Sequence, residues 1–405
     1  MKYIFILGSH PALSAAEILA IVGEQTDVVD ASKEALILDI PDFDPAAAMR
    51  RLGGTVKIGK VIAEDKLEAN FILEKAMAIL AEKSAEGRIT FGVSVYGASR
   101  EASQGLIKLG MEMKSRLRAE GKSARWVRPQ EGSSLSSVSV VKNRMLEEGA
   151  EFLLFVSKGR VTIATTAAVQ PFEEFSQTDF GRPARDMEQG MLPPKVARMM
   201  VNLSGAPLEG FIFDPFCGSG TVLTEALRMG YAKLAGSDKN PVAVTSTEKN
   251  IAWLREKGLI AKDGPAPLVF AADARNVGQF MKDASLDAIV TEPFLGPVLT
   301  GKETRSLIQK QIHELSTLYY ESLSAWLRLF KPGAATVIAL PNYVLRQEHH
   351  GFSTKEFSKL GYEGESLLSP SLLSKLGAAE TKNRGLLYGR TGQHVWREIV
   401  RLRVK

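Results

Sequence analysis

Apolar and polar positions follow two rhythms along this chain, and the changes between them mark out its elements. Short apolar runs at 3–7, 36–40 and 56–62 read as strands, while 15–22, 46–52 and 67–83 space their apolar residues three and four apart, as helices do. Together they predict a small N-terminal α/β domain over 1–88. A second α/β block over 89–169 follows, with strands at 92–95, 124–127, 152–156 and 161–164 and helices at 106–119 and 138–146. Residues 170–194 are dense in Pro, Gly, Asp and Arg without a clear period, and read as a linker that also lines a site. From 195 to 405, apolar runs centred on Ile212, Leu234, Val269, Ile289 and Val337 alternate with helical patterns. That alternation predicts a parallel sheet covered by helices on both faces. With 405 residues and 45% hydrophobic content, the chain can bury more than one core.

The segment Asp214-Pro215-Phe216-Cys217-Gly218-Ser219-Gly220-Thr221 falls between the apolar run 211–213 and the helix-patterned run 222–229. It predicts a strand, a glycine turn and a helix start. Gly218 and Gly220 let the backbone pass close to a ligand, and the first amides of the helix point at whatever negative group lies there. About twenty residues on, a second buried run ends in the carboxylate of Asp238, where a doubly wound sheet holds ribose hydroxyls. The spacing fits an adenosine-containing cofactor. A dinucleotide fingerprint needs a third small residue where this chain has Leu223, and Asp214 would repel a pyrophosphate. The turn fits S-adenosylmethionine better.

A second signature follows the apolar run 286–290: Thr291-Glu292-Pro293-Phe294-Leu295-Gly296-Pro297. In an open α/β sheet such a turn faces the same crevice as the cofactor loop. An exocyclic amine on a nucleobase has its lone pair drawn into the ring, so methyl transfer to it needs acceptors that hold the N–H groups in line. Carbonyls fixed by proline, with one side-chain oxygen, supply them, and Phe294 can stack on an extruded base or simply pack in the core. Asp273, at the end of the run 269–272, stands beside Ala274 and reads either as a ligand or as a helix cap.

Both signatures resemble those of the amino-group methyltransferases of nucleic acids. The first is similar to their Asp-Pro-Phe-x-Gly-Ser-Gly-Thr loop, and the second occupies the place of their Asp/Asn-Pro-Pro-Tyr/Phe motif. Aligned without a gap, Thr291 stands where the acid belongs; with a slip of one residue, Glu292 does. Residues 179–186 and 190–197, then Val201-Asn202-Leu203, resemble the entry segment of the THUMP-containing tRNA guanosine-N2 methyltransferases. The tail 387–399 resembles that family's terminal hairpin, and 91–97 a strand of its THUMP region. The similarity covers most of the chain and is weakest before residue 89. It implies a Rossmann-like class I methyltransferase domain with a parallel-rich sheet, preceded by a ferredoxin-like plus THUMP RNA-binding region. It also implies S-adenosylmethionine as donor and the exocyclic N2 of guanosine at tRNA position ten as target. Donor contacts are then expected from Asp214 to Thr221, from Asp238, Lys239, Asp273 and Ala274, and from Met191 and Leu192. The adenine amino group falls to Asp273. Catalysis is expected from Thr291, Glu292, Pro293 and Phe294. Other readings stay open: a ribosomal RNA guanine-N2 or DNA adenine-N6 methyltransferase, or a catalytically silent tRNA-binding protein.

Charge agrees with a nucleic-acid substrate, at a net +5 and a pI near 9.0. Acids outnumber bases before residue 100, whereas Arg100, Lys108, Lys114, Arg116, Arg118, Lys122, Arg125 and Arg128 crowd one segment. All of these except Arg116, with Lys142, Arg182 and Arg185, are the expected RNA contacts, and Trp126 beside Arg125 is a candidate stacking platform or a core residue. The bland alternative is a solvated helix face with pairs such as Glu112 and Arg116. Cys217 is the single cysteine, so one chain holds no disulfide framework or cysteine-rich zinc site, and its place in the loop favours packing over nucleophilic attack. The five histidines lack metal-ligand spacing, so no metal is expected, and His349-His350 reads as an exposed loop. With no apolar run of membrane length and no secretory pattern at the start, a cytoplasmic location is expected.

Overall fold

The computed structural model describes residues 1–23, 25–83, 88–185 and 191–404. Asp186 and Gly190 of the entry segment lie outside the described residues. The chain forms two units, Met1–Phe172 with Ser374–Gly377, and Glu173–Leu373 with Ala378–Lys405.

The first unit is one eight-stranded sheet built from β1 (Lys2–Leu7), β2 (Val28–Ala31), β3 (Ala35–Asp39), β4 (Thr55–Lys66), β5 (Ile89–Tyr96), β6 (Ala124–Val127), β7 (Ala150–Ser157) and β8 (Arg160–Val169). Its order is β2-β3-β1-β4-β8-β7-β5-β6. The expected blocks 1–88 and 89–169 therefore share a sheet. The apolar run at 56–62 is the middle of a 12-residue strand, β4, which pairs antiparallel with β1 on one side and β8 on the other. Two apolar clusters flank it: Ile4, Ile6, Ile37, Leu153 and Phe155 form one, and Phe91, Val93, Val95, Met113 and Leu117 belong to the other. A buried ion pair joins Lys57 to Glu151, and Lys57 Nζ also donates to the Leu135 carbonyl at 2.6 Å. Glu151 further accepts from Ser94 and Thr166 at 2.5 and 2.6 Å, so each of the two buried charges has hydrogen-bond partners besides the other.

Two expected helices change here. The one at 106–119 is split into Arg100–Ile107 and Leu109–Ala119, meeting at Lys108. The one at 138–146 is only Ser137–Lys142, since Arg144 takes a φ of 51° that no helix continues through.

The second unit holds β9 (Phe211–Asp214), β10 (Lys233–Asp238), β11 (Leu268–Ala271), β12 (Leu286–Thr291), β13 (Phe330–Leu345), β14 (Glu348–His350), β15 (Tyr362–Glu365), β16 (Leu386–Tyr388) and β17 (Val395–Val404). The main order is β11-β10-β9-β12-β13-β17-β15, parallel from β11 to β13 and antiparallel at β17. Its central strands are largely buried, and Phe213, Ile289, Leu323, Trp326, Ile338 and Val400 share one core. The chain builds outward from β9 through β10 to β11, then returns to place β12 on the other side of β9. That reversal opens a crevice at the carboxyl ends of β9 and β12. The terminal hairpin forms as expected, with β16 on β17 and Leu387 opposite Glu398.

Two expectations are corrected. Part of the supposed linker is a helix, Phe172–Phe180, whose Phe175 is buried beneath Arg198, 4.5 Å from the ring centre, with Lys195 and Arg228 at 5.2 and 5.7 Å. His349 and His350 lie in β14 rather than in a loop, with His349 2.7 Å from Asn342 Oδ1 and edge-on to Trp396. Among the described residues no helix is long and apolar enough to cross a membrane.

Candidate active site at the reversal of the second sheet

The two sequence signatures meet at the tips of β9 and β12. β9 ends on Asp214 and β12 on Thr291, and Thr291 Oγ1 donates to Asp214 Oδ1 at 2.6 Å. Both side chains are buried. Burial pushes the Asp214 carboxyl up to about 7, against the opposing hydrogen bonds from Thr291 and from the Phe216 amide at 3.1 Å.

The glycine turn takes the form its spacing predicts, with φ of 53° at Gly218 and 82° at Gly220. A Cβ on Gly220 would also lie 2.7 Å from the Thr247 side chain, so space and backbone alike require glycine there. The Gly218 amide donates to Asp238 Oδ2 at 3.1 Å and the Asn240 amide to Oδ1 at 2.9 Å. Asp238 is thereby fixed, with lone pairs left over for hydroxyl donors. Cys217 is buried, its thiol pushed up by burial and by Asp214 nearby, and it packs below Gly236 as a small apolar residue.

Helix Pro241–Glu256 supplies two clamps that the sequence motifs do not reveal. Thr247 Oγ1 donates to the Gly218 carbonyl at 2.8 Å. Asn250 Nδ2 donates to the carbonyls of Ser219 and Ala184 at 2.8 and 2.9 Å, and its Oδ1 accepts from the Ala184 amide at 3.1 Å. Asn250 thus ties the segment around Ala184 to the loop. The only signal in the sequence is a pair of polar residues three apart on one helix face, which also describes any exposed helix.

Around the rest of the expected donor site, Arg275 grips Asp273 through Nε, Nη2 and its own amide at 2.8–2.9 Å, holding that carboxyl down at about 2. Ala274 is buried and its carbonyl accepts from Trp326 Nε1 at 2.9 Å. Pro215 and Leu192 are buried, Phe216 is half-buried and edge-on to Trp326, and Lys239 is exposed. Met191 Sδ lies 3.7 Å from Ser219 Oγ.

On the acceptor side, Glu292 is ion-paired with Arg397 of β17, whose Nη2 also reaches the Met191 carbonyl at 3.4 Å. By sequence Arg397 is only one residue of the terminal hairpin. Pro293 is buried, and Phe294 is 41% exposed. Tyr319 and Tyr343 donate to the carbonyls of Phe294 and Leu295 at 2.6 and 2.7 Å, which stiffens the turn. Of the two open registers, Thr291 is the one turned inward, its hydroxyl hydrogen engaged by Asp214, while Glu292 stands at the rim.

The expected RNA contacts divide. Arg100, Lys108, Arg118, Arg125, Arg128 and Lys142 are exposed on the first unit, with Lys114 and Lys122 half-buried, and the Glu112–Arg116 pair forms at 2.9 Å. Trp126 is half-buried against Gly110, where a Cβ would come within 2.2 Å of its Nε1, so its ring is a packing element with Arg128 over one side. In the second unit Arg185 is exposed. Arg182 is the correction: it is 4% exposed and donates to Thr221 Oγ1 at 2.8 Å, beside the glycine turn and out of reach of a surface phosphate.

Comparison with known proteins agrees with this geometry. Residues 182–344 match the family described as RMKL-like, methyltransferase domain. A tRNA (guanine(10)-N2)-dimethyltransferase of Methanothermobacter thermautotrophicus is 33% identical over 155 residues, 38% of this chain and 40% of that relative. One of the same name from Methanocaldococcus jannaschii is 38% identical over 117 residues, 28% of this chain and 31% of the relative. The matched stretch thus spans well under half the length of either relative. In structure, TrmN from Thermus thermophilus superposes with a TM-score of 0.54 at 16% identity, covering 100% of both chains, a likeness of fold. The second unit has the class I methyltransferase fold.

Proposed function

We propose that this chain transfers methyl groups from S-adenosylmethionine to the exocyclic N2 of a guanosine in tRNA, at position ten, and that its first unit docks the RNA as a THUMP-type module. The observation that carries the reading is the hydrogen bond between Thr291 and Asp214, which joins the donor loop and the acceptor turn in a single crevice. The residues suit the donor: Gly218 and Gly220 leave its path free of Cβ atoms, Asp238 is fixed for the ribose, and Asp273 is ionised and able to accept from an amino group. Bound there, S-adenosylmethionine supplies an electrophilic methyl group.

The chain's own residues prepare the acceptor. Glu292 accepts one N–H of the guanine amine through Oε2, because Oε1 is engaged by Arg397, and the backbone carbonyl on the Glu292–Pro293 side accepts the other. Holding both hydrogens turns the nitrogen lone pair out of the ring and toward the crevice. Arg397 holds Glu292 in place through Oε1, which leaves Oε2 to take the proton that the methylated nitrogen sheds. Phe294, exposed at the rim, stacks on the extruded base, and Thr291 steadies Asp214 rather than touching substrate. The exposed arginines and lysines of 100–142 follow the phosphates.

The test is incubation of the full chain with labelled donor and unmodified tRNA transcript, then nucleoside analysis. Label in N2-methylguanosine or its dimethyl form, lost when the transcript carries adenosine at position ten, is the expected result. Label in any other nucleoside refutes the assignment.

A further inference from the structure

Arg182 is buried without a direct ion pair: Glu225 and Asp179 favour its charge only from a distance, and burial works against it. Its Nη1 donates to Thr221 Oγ1 at 2.8 Å, its Nη2 approaches Met191 Sδ at 3.9 Å, and its Nε has no partner. No carboxylate lies within ion-pair distance among the described residues. Glu225, the buried acid of the neighbouring helix Thr221–Arg228, is already gripped by Arg198 at 2.6 and 2.9 Å and by Arg228 at 2.9 and 3.1 Å. A guanidinium 4% exposed with no carboxylate in direct contact is costly to keep, and an anion reaching it would offset that cost.

The surroundings define the anion's place. Thr221 is the first residue of its helix, whose N-cap, Gly220, offers no side-chain cap, so the positive end of the helix opens toward the same corner. Ser219 Oγ points there too, at 3.7 Å from Met191 Sδ. Two donors, a guanidinium and a hydroxyl, converge on one thioether, which is a weak acceptor. An oxyanion in that position would satisfy both donors and neutralise the charge. A single carboxylate at the loop side of the crevice matches one part of the proposed donor, its amino-acid tail.

We propose that Arg182, with Ser219 and the N-terminus of helix Thr221–Arg228, binds the α-carboxylate of the methionine moiety of S-adenosylmethionine; this rests on the donor assignment above. Arg182 is then a donor-site residue and no RNA contact. Met191 yields its position beside the two donors when the carboxylate enters.

The test compares two ligands of the full chain by calorimetric titration: S-adenosylhomocysteine, and 5′-methylthioadenosine, which keeps the nucleoside and sulfur but lacks the amino-acid tail. Arg182→Gln is expected to weaken S-adenosylhomocysteine by about 10- to 100-fold, the worth of a charge-assisted hydrogen bond, and to leave methylthioadenosine within about twofold. Unchanged S-adenosylhomocysteine binding, or equal losses for both ligands, overturns the proposal. Should Arg182→Gln not fold, Arg182→Lys keeps the charge but loses the fork, and a smaller loss confined to S-adenosylhomocysteine is expected; an unaltered ratio in it is equally fatal. Failure of the unsubstituted protein to bind S-adenosylhomocysteine sinks the donor assignment itself, a result separate from either variant's.

Discussion

Replacing Asp214 by Asn gives the sharpest reading of the site's electrostatics. In the folded chain burial pushes this carboxyl from its ordinary 3.8 to about 7, while Thr291 and the Phe216 amide partly hold it down. Between those two values the folded state keeps a proton that the unfolded chain has lost. Stability from this group is therefore fully present below about 4, falls as pH rises, and is gone once pH passes about 7. At 1.36 kcal/mol per tenfold change in proton affinity, the whole window amounts to about 4 kcal/mol, an upper figure for one buried acid. Asn has nearly the same shape and can still accept from Thr291, but it does not titrate. The stability of the unsubstituted protein minus that of Asp214→Asn should thus fall by about 2 kcal/mol or more between pH 5 and pH 7. Urea unfolding followed by the fluorescence of Trp253, Trp326 and Trp396, all in the second unit, measures it, with Trp126→Phe in both proteins to silence the first unit. Parallel stability curves from pH 4 to pH 8 would refute the reasoning, because they would mean that Asp214 is not titrating in that window.

Other predictions concern separate parts of the molecule. Lys57→Met leaves Glu151 buried with no cation, and should cost the first unit about 3–5 kcal/mol in chemical unfolding; a loss below 1 kcal/mol would show that the pair is not sealed from water. Phe294→Ala removes a ring that is 41% exposed and should lower kcat/KM for tRNA by about 5- to 150-fold, the range for removing one base stack, with donor affinity unchanged. A matching fall in donor affinity would instead make Phe294 part of the donor site. Arg118→Gln and Arg125→Gln should weaken tRNA binding evenly across sequences and flatten its dependence on log salt by about 0.7 to 0.9 for each phosphate no longer neutralised. An unaltered slope would leave that face as ordinary solvated surface.

The sequence by itself determined what is local. Gly218 and Gly220 announce positive φ, the acid at Asp238 follows at the spacing of one helix and one strand, and the buried period of β9, β10 and β12 makes a parallel sheet the simplest reading. Asp214, Asp238 and Asp273 all stand where strand ends were expected. Tertiary structure alone decided whatever depends on which surfaces meet. Thr291 and Glu292 were indistinguishable as strings, and only the neighbouring β9, 77 residues earlier, turns the first inward and leaves the second at the rim. Arg182 looked like one more basic residue until its burial beside Thr221 removed it from the surface. The helix Phe172–Phe180 carries no strong period because it is held by Phe175 against three cations from other elements. Likewise a single sheet spans the first unit because β4 continues past its apolar run, on backbone pairing with β8 that polar side chains neither advertise nor forbid. Backbone conformation is written residue by residue, whereas burial and pairing are properties of two distant stretches at once.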